Sequence, residues 1–393
     1  MLNFLKYLLV LLSILPLTSM TFTITDEYLM GINLLGVTIF IFTRLKLDKF
    51  IIYLIASFLI INVMAFFFFG SFNLFVIIGF ILRLLFPYWV VKIVGKDLLD
   101  IVPKIGFFSA VLSLPFYLIQ LINYRLLLNI FSYYPLITTD LRLSVGKYSL
   151  FFHTIDINIL ERNNGFLWEP GGFGYFLGIS LIILLYKSNL KFNFQSIIIL
   201  LIGLTTLSTT YYIFIILIFI LYFLNNVNKN LGFLILLPIF IGIIFVMLSQ
   251  EFMFQKIENH ILDTQEVTSA VGYSKNYDKI GRLANFQVEM LDFLSYPIGF
   301  GVQEKGRTMT SYGDFVSGPC GLSHHIARWG IWGIIILIIS LQKFSKYLNH
   351  NFNSQIKLFS TLGILFFLFS NPIDRDLFLF SLLYLPFVKS WYL

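Results

Sequence analysis

Three arginines, a glutamate and two adjacent histidines carry the reactive chemistry of a chain that is otherwise mostly apolar. Arg162 and Glu169 belong to the run Glu161-Arg162-Asn163-Asn164-Gly165-Phe166-Leu167-Trp168-Glu169-Pro170-Gly171-Gly172-Phe173-Gly174, which leads straight into an apolar segment. Arg282 follows Gly281 and opens an amphipathic run that ends in Pro297-Ile298-Gly299-Phe300-Gly301. His324 and His325 sit in Ser323-His324-His325-Ile326-Ala327-Arg328-Trp329-Gly330-Ile331-Trp332-Gly333, with Arg328 close behind. A guanidinium holds phosphate through two parallel hydrogen bonds, and the N-terminus of a helix offers backbone N–H groups to the same kind of anion. A neutral imidazole or a carboxylate can take the proton of a sugar hydroxyl as it turns into a nucleophile.

Each of these residues also has a plain structural reading. Pro170 and the glycines break regular structure before a helix, and Trp168 suits a lipid–water interface. Arg282 could form a surface salt bridge to Asp278 or Glu289, and a histidine at a helix entrance is commonly a hydrogen-bonded interface residue. Arg328 could be a third phosphate ligand or an anchor in the headgroups. Phe286, Met290 and Phe293, spaced four and three apart, form a stripe that predicts packing of one helix face. Lys305 and Arg307 lie in a Gly-rich segment where solvating a loop is sufficient reason for them.

The elements that must position these residues are membrane helices. Of 393 residues, 58% are hydrophobic, 18% aromatic and only 12% charged, with 46 Phe, too little charge to cover a soluble surface of this size. A spanning helix needs about 20 apolar residues because the bilayer leaves backbone groups nothing else to bond. Candidate spans fall near 2–20, 27–43, 50–69, 72–91, 105–123, 173–186, 194–208, 210–225, 231–248, 326–342, 356–371 and 376–392. The expectation is an all-α polytopic protein forming one transmembrane domain over 1–393, with about twelve helices and a range of ten to thirteen. Two long polar segments, 124–172 and 249–325, interrupt it, the second with short helices of its own. The first run lacks a small-x-small cleavage site and reads as a retained helix. Arg83 falls inside the fourth run, and a charge there is functional or paired by default.

Lys and Arg set the orientation, since they stay where translocation need not carry them. With the N-terminus inside, the inner connections hold Arg44, Lys46, Lys49, Lys92, Lys96, Lys104, Lys187, Lys191, Lys229, Lys343, Lys346 and Lys357, and both long polar segments fall outside with His153, His260, His324 and His325. The C-terminus then lies inside as well. Much of the net charge of +7 is this inner-loop bias, which argues against a nucleic-acid partner. The single cysteine, Cys320, cannot form an intramolecular disulfide, and there is no Cys/His metal spacing, P-loop or Rossmann glycine pattern. Metal-free chemistry without a cofactor is the expectation.

The order of these fragments resembles the O-antigen polymerase and O-antigen ligase superfamily, in particular the Wzy-like polymerases of O-antigen and capsular polysaccharide. The resemblance rests on Arg162-x-x-Gly165 leading to Glu169-Pro170-Gly171 before a helix, and on Leu204-Thr205-Thr206-Leu207-Ser208-Thr209 at an outer helix end. It continues with Gly281-Arg282 ahead of Pro297-Ile298-Gly299-Phe300-Gly301, and with an external segment feeding Gly330-x-x-Gly333. It implies a GT-C-like membrane glycosyltransferase of the bacterial cytoplasmic membrane, acting at the outer face on a glycan carried by undecaprenyl diphosphate. In a polymerase the acceptor is another lipid-linked repeat unit, and in a ligase it is the lipid A core. The resemblance implies that loop arginines grip the diphosphate, here Arg162 and Arg282, with Arg328 as a further candidate. His324, His325 and Glu169 are the candidate bases, with Glu169 also able to orient a sugar. A chain-length co-polymerase is the further partner it leaves open. A transporter or lipid-linked oligosaccharide flippase is the competing class, against which stand the lack of an internal repeat and the one-sided polar mass.

Overall fold

Long apolar runs without internal caps become helices, and helices dominate the computed structural model. It describes residues 2–18, 25–70, 73–132, 147–150, 152–226, 282–302, 320–354, 356, 359–371, 373 and 376–389. In chain order the α-helices are α1 (Leu2–Ile14), α2 (Asp26–Phe42), α3 (Lys49–Phe69), α4 (Leu74–Val94), α5 (Leu98–Ser132), α6 (Pro170–Lys187), α7 (Phe194–Leu204), α8 (Thr209–Asn226), α9 (Arg282–Ser295), α10 (Gly321–Phe352), α11 (Phe359–Ser370) and α12 (Leu377–Tyr384). The expected span 231–248 lies outside the described residues, as do Gly281, His260, Asp278, Lys305 and Arg307.

The surface is inverted relative to a soluble protein. Phe42, Phe67, Phe75 and Ile122 are all largely exposed on helix faces, as expected when the surrounding medium is hydrocarbon. Among the described residues four helical stretches are long and apolar enough to cross a bilayer: 49–69, 74–130, which contains α4 and most of α5, 170–187 and 321–352. The protein is therefore an all-α, membrane-embedded chain, but the described helices do not match the expected spans one for one. α7 has 11 residues and α12 has 8, which at 1.5 Å per residue reach only about 16 and 12 Å, short of the hydrocarbon thickness. Continuous apolarity over 194–208 and 376–392 reflects burial inside the bundle as much as contact with lipid; every residue of α12 is buried.

Two helices act as buried posts. α6 buries nearly every side chain from Phe173 to Tyr186 and is surrounded by α5, α7, α8 and α11. α4 is packed by α1, α2 and α12, and its second half from Leu84 is almost entirely buried. At one end of the bundle ion pairs tie neighbours together: Lys6 with Asp97, Lys187 with Asp100, and Lys92 with Asp48 at 2.7 Å, where Tyr88 also donates to the same carboxylate. Two of these lysines, Lys92 and Lys187, are ones that the charge rule assigns to inner connections, and both are paired with acids at the same end. At the opposite end the chain leaving α1 pairs with the entrance to α6, through a bridge between Thr18 and Leu167 and a bond from the Trp168 amide to the Leu17 carbonyl.

The first polar segment is not purely loop. α5 runs through Asn123, where the backbone kinks (φ −154, ψ 81), and continues to Ser132. A two-stranded antiparallel hairpin follows, β1 (Lys147–Leu150) with β2 (His153–Asp156), so a small sheet interrupts the all-α expectation. α5 carries the segment on a polar face: Ser113, Tyr117 and Gln120 are four and three residues apart and bond Asn163, Glu161 and the carbonyls of Leu160 and Arg162.

His153 is fixed to the same post. Its Nε2 lies 2.8 Å from Gln120 Oε1 and its ring stacks on Phe116. Burial lowers its pKa from the usual 6.5 to about 3. Between those values the unfolded chain binds a proton that the folded protein refuses, so stability is fully present above about pH 6.5 and falls as pH drops toward 3. Thermal melts in detergent at pH 7 and pH 5 are expected to show a lower Tm at pH 5, with the difference reduced in His153→Gln.

Candidate functional site

The entrance to α6 is built around Arg162 and its neighbour. Asn163 is fully buried and saturated: its Nδ2 donates to Ser113 Oγ and Thr205 Oγ1, its Oδ1 accepts from the Gly165 amide, and its own amide bonds the Thr205 carbonyl. Arg162 donates through Nε to the Thr206 carbonyl at 3.1 Å. The Leu204-to-Thr209 motif thus has a physical role, since the turn joining α7 to α8 is the shelf on which this residue pair rests. Asn164 is as buried as Asn163, yet among the described residues neither of its side-chain amide atoms has a hydrogen-bond partner. Asn163→Ala is expected to cost about 2–4 kcal/mol because it strands several buried groups. Asn164→Leu, apolar and of similar size, is expected to be neutral or stabilising. Melting curves of the two variants in one detergent check the contrast.

Around this shelf charges from both polar segments converge. Burial lowers the Arg162 pKa; the Glu169 carboxylate raises it, Arg282 lowers it again, and Asp156 raises it. Arg162, Glu169 and Arg282 are therefore electrostatic neighbours, although they come from different segments. Glu169 is the N-cap residue of α6, but its carboxylate makes no capping hydrogen bond, and its Oε1 curls over Gly171. The N-terminus of α6 is therefore not capped by the Glu169 side chain, and with Pro170 at the first position its first amides favour an anion.

The second half of the site lies on α9, where the structure adds a polar face to the sequence reading. The stripe Phe286, Met290 and Phe293 packs as expected, Phe286 against Phe369, but is only half-buried. The buried residues are instead Ala284, Asn285, Val288, Glu289 and Asp292, whereas Leu291 and Leu294 are 51% and 68% exposed. In an apolar medium an amphipathic helix turns its leucines outward and its polar face in. That polar face reads Arg282, Asn285, Glu289 and Asp292, at spacings of three, four and three.

Glu289 is fully buried against α10. Its Oε2 accepts from Asn285 Nδ2 at 2.9 Å and from Ser323 Oγ, and its Oε1 lies 2.9 Å from His324 Nδ1. The two histidines are separated by about 100° of helix rotation, and the structure gives them different surroundings. His324 faces α9 and keeps 24% of its side chain exposed, whereas His325 is buried with Nε2 beside Gly333. Arg328 lies one turn beyond His324 on the same face and is half-buried. Arg83 lies in α4, outside the segments that build this site.

The relative position of α9 and α10 is fixed by a break. At Gly330 (φ 60, ψ −151) α10 leaves helical geometry, and the Pro297–Gly301 loop docks against the break. The Phe300 amide bonds the Ala327 carbonyl, Gly301 bonds Arg328, and Ile331 bonds Pro297, so groups left open by the break are satisfied. The site is then a line running from Arg162, Glu169 and the α6 terminus, through Arg282, along α9 to Glu289 and His324. Seven residues separate Arg282 from Glu289, about 10 Å along the helix. Glu289, Asn285 and Ser323 were not singled out from sequence as site residues; the polar spacing on α9 was the signal that could have found them. Among the described residues no group of His, Cys, Asp and Glu has an arrangement that could hold a metal ion. No family model matches the sequence, and neither a curated protein nor a solved structure is significantly similar to it.

Proposed function

We propose that this protein is a GT-C-like polysaccharide polymerase of the bacterial cytoplasmic membrane. It transfers a growing glycan from undecaprenyl diphosphate onto a lipid-linked repeat unit at the outer face, without a metal. The observation that carries this reading is the convergence of Arg162, Glu169 and Arg282 at the open N-terminus of α6. Guanidinium groups gathered near a helix N-terminus suit a polyanion, which each can hold through paired hydrogen bonds. A diphosphate held there would have its developing negative charge stabilised as the glycosidic oxygen leaves. The acceptor hydroxyl would approach along α9, where His324 faces the same line of polar groups.

Purified protein given undecaprenyl-diphosphate repeat units should form a ladder of polymers without ATP, ions or metal. Transfer confined to lipid A core would make it a ligase. The broken α10 supports a second reading, since interrupted helices are common in transporters and flippases. Against that reading, the backbone groups at the break are bonded by the Pro297–Gly301 loop. Movement of intact lipid-linked units across liposomes, with no new glycosidic bond, would end the enzyme reading.

A further inference from the structure

Glu289 holds three donors with one buried carboxylate. Ser323 and Asn285 both donate to Oε2, which leaves Oε1 for His324. A carboxylate oxygen accepts and does not donate, so the His324 ring carries a proton on Nδ1, and in its neutral form Nε2 is the nitrogen able to accept a proton. His325 packs beside Gly333, and the Glu169 carboxylate sits in the field of Arg162, where it is better suited to orient a sugar or counter a charge.

We propose that Glu289 is the positioning residue that makes His324 the general base of the transfer, an inference that rests on the glycosyl-transfer reading above. The acceptor hydroxyl oxygen attacks the anomeric carbon and forms the new glycosidic bond. The bond from that carbon to the diphosphate oxygen breaks, and its electron pair stays with the leaving lipid diphosphate. The hydroxyl proton passes to His324 Nε2, and the resulting imidazolium is held against the Glu289 carboxylate until the proton is released to water. Ser323 and Asn285 do not touch substrate in this scheme; they fix which carboxylate oxygen faces the ring.

Glu289→Gln is a sharp test because the two donors on Oε2 dictate the orientation of the new amide. Its oxygen stays with Ser323 and Asn285, and its NH₂ group turns toward His324 Nδ1. The ring must then accept at Nδ1 and carry its proton on Nε2, where it can no longer act as a base. The expected result is a fall in kcat of about 10³–10⁴-fold with little change in KM, as for a base held in the wrong tautomer. In the same background, Glu289→Gln combined with His324→Ala should be no slower than His324→Ala alone, because the residues act as a unit. Nitrogen NMR of histidine-labelled protein gives a readout independent of turnover: wild-type His324 should be protonated on Nδ1, and the Glu289→Gln protein on Nε2. The wild-type spectrum needs no variant, so poor folding of Glu289→Gln does not remove the test. A polymerising wild type whose Glu289→Gln variant works within about 3-fold of its rate, or a wild-type His324 protonated on Nε2, would overturn the role given to Glu289. A wild type that forms no glycosidic bond, yet shows the Nδ1 proton, would overturn the glycosyl-transfer reading and the base role while leaving the pairing itself intact.

Discussion

Replacing Arg282 by Ala is expected to slow polymer formation by about 10²–10³-fold, the usual effect of removing one preorganised donor from a developing negative charge. The same change is expected to leave folding stability within about 0.5 kcal/mol of wild type. The two halves of this prediction come from one observation. Arg282 opposes the charge of Arg162, so its loss relieves a repulsion even as it removes the proposed phosphate ligand. Arg162 differs, because its Nε also bonds the Thr206 carbonyl and its side chain is mostly buried. Arg162→Ala should therefore lose both activity and stability. Arg162→Lys keeps the charge but cannot form the paired contacts of a guanidinium and should recover only part of either. Ladder formation from purified lipid-linked repeat units, measured beside the Tm of each variant, separates the two cases. Unchanged polymer length and amount in Arg282→Ala would remove the diphosphate assignment.

Much of the fold class could be read from the sequence because a membrane imposes a simple rule on backbone hydrogen bonds. Runs such as 50–69 and 173–186 could hardly be anything except buried or spanning helices, and they became α3 and α6. Length failed as a guide where apolarity had another cause. The residues of α12 are apolar because other helices cover them, and eight of them form the helix. The hairpin at Lys147–Asp156 was not legible, because a four-residue strand carries little periodic signal.

The site was legible in its charged residues and illegible in their support. Arg162, Glu169 and Arg282 stood out because a charge close to a membrane calls for a reason, and the structure brings these three into one electrostatic neighbourhood. The histidine pair stood out as a type, yet nothing in two adjacent letters tells which ring meets a carboxylate. That choice follows from the rotation of α10 against α9, a tertiary fact. Glu289 enters the sequence reading only as one of two possible surface partners of Arg282, because hydrophobic periodicity assumes that water lies outside. On α9 the assumption fails, and the same spacing gives the opposite face.

Gly330→Ala is expected to be the most damaging single change outside the charged cluster. The Gly330 backbone (φ 60, ψ −151) lies in a region that is essentially reserved for glycine. A Cβ there would come within 2.2 Å of the Pro297 carbonyl oxygen and 2.3 Å of the Ile298 carbonyl carbon. Both are backbone atoms, so no side-chain rotation relieves the clash, and the Pro297–Gly301 loop must leave. With it go the bonds from Phe300, Gly301 and Ile331 that satisfy the break. Backbone strain of about 1–3 kcal/mol and the loss of three buried bonds at about 1 kcal/mol each together put the cost near 4 kcal/mol or more. Gly79→Ala provides the control, since nothing lies within 4 Å of a Cβ at that position in α4, and an alanine there should stabilise by about 0.5–1 kcal/mol. The consequence for function follows from the chain path. Pro297 lies just beyond the end of α9, so undocking the loop frees α9 from α10 and separates Glu289 from His324. Gly330→Ala protein that still inserts into the membrane should thus lose polymer formation, and the nitrogen NMR signature of the paired His324 should vanish with it. Retention of that signature in folded Gly330→Ala protein would show that something other than the docked loop holds the two helices in register.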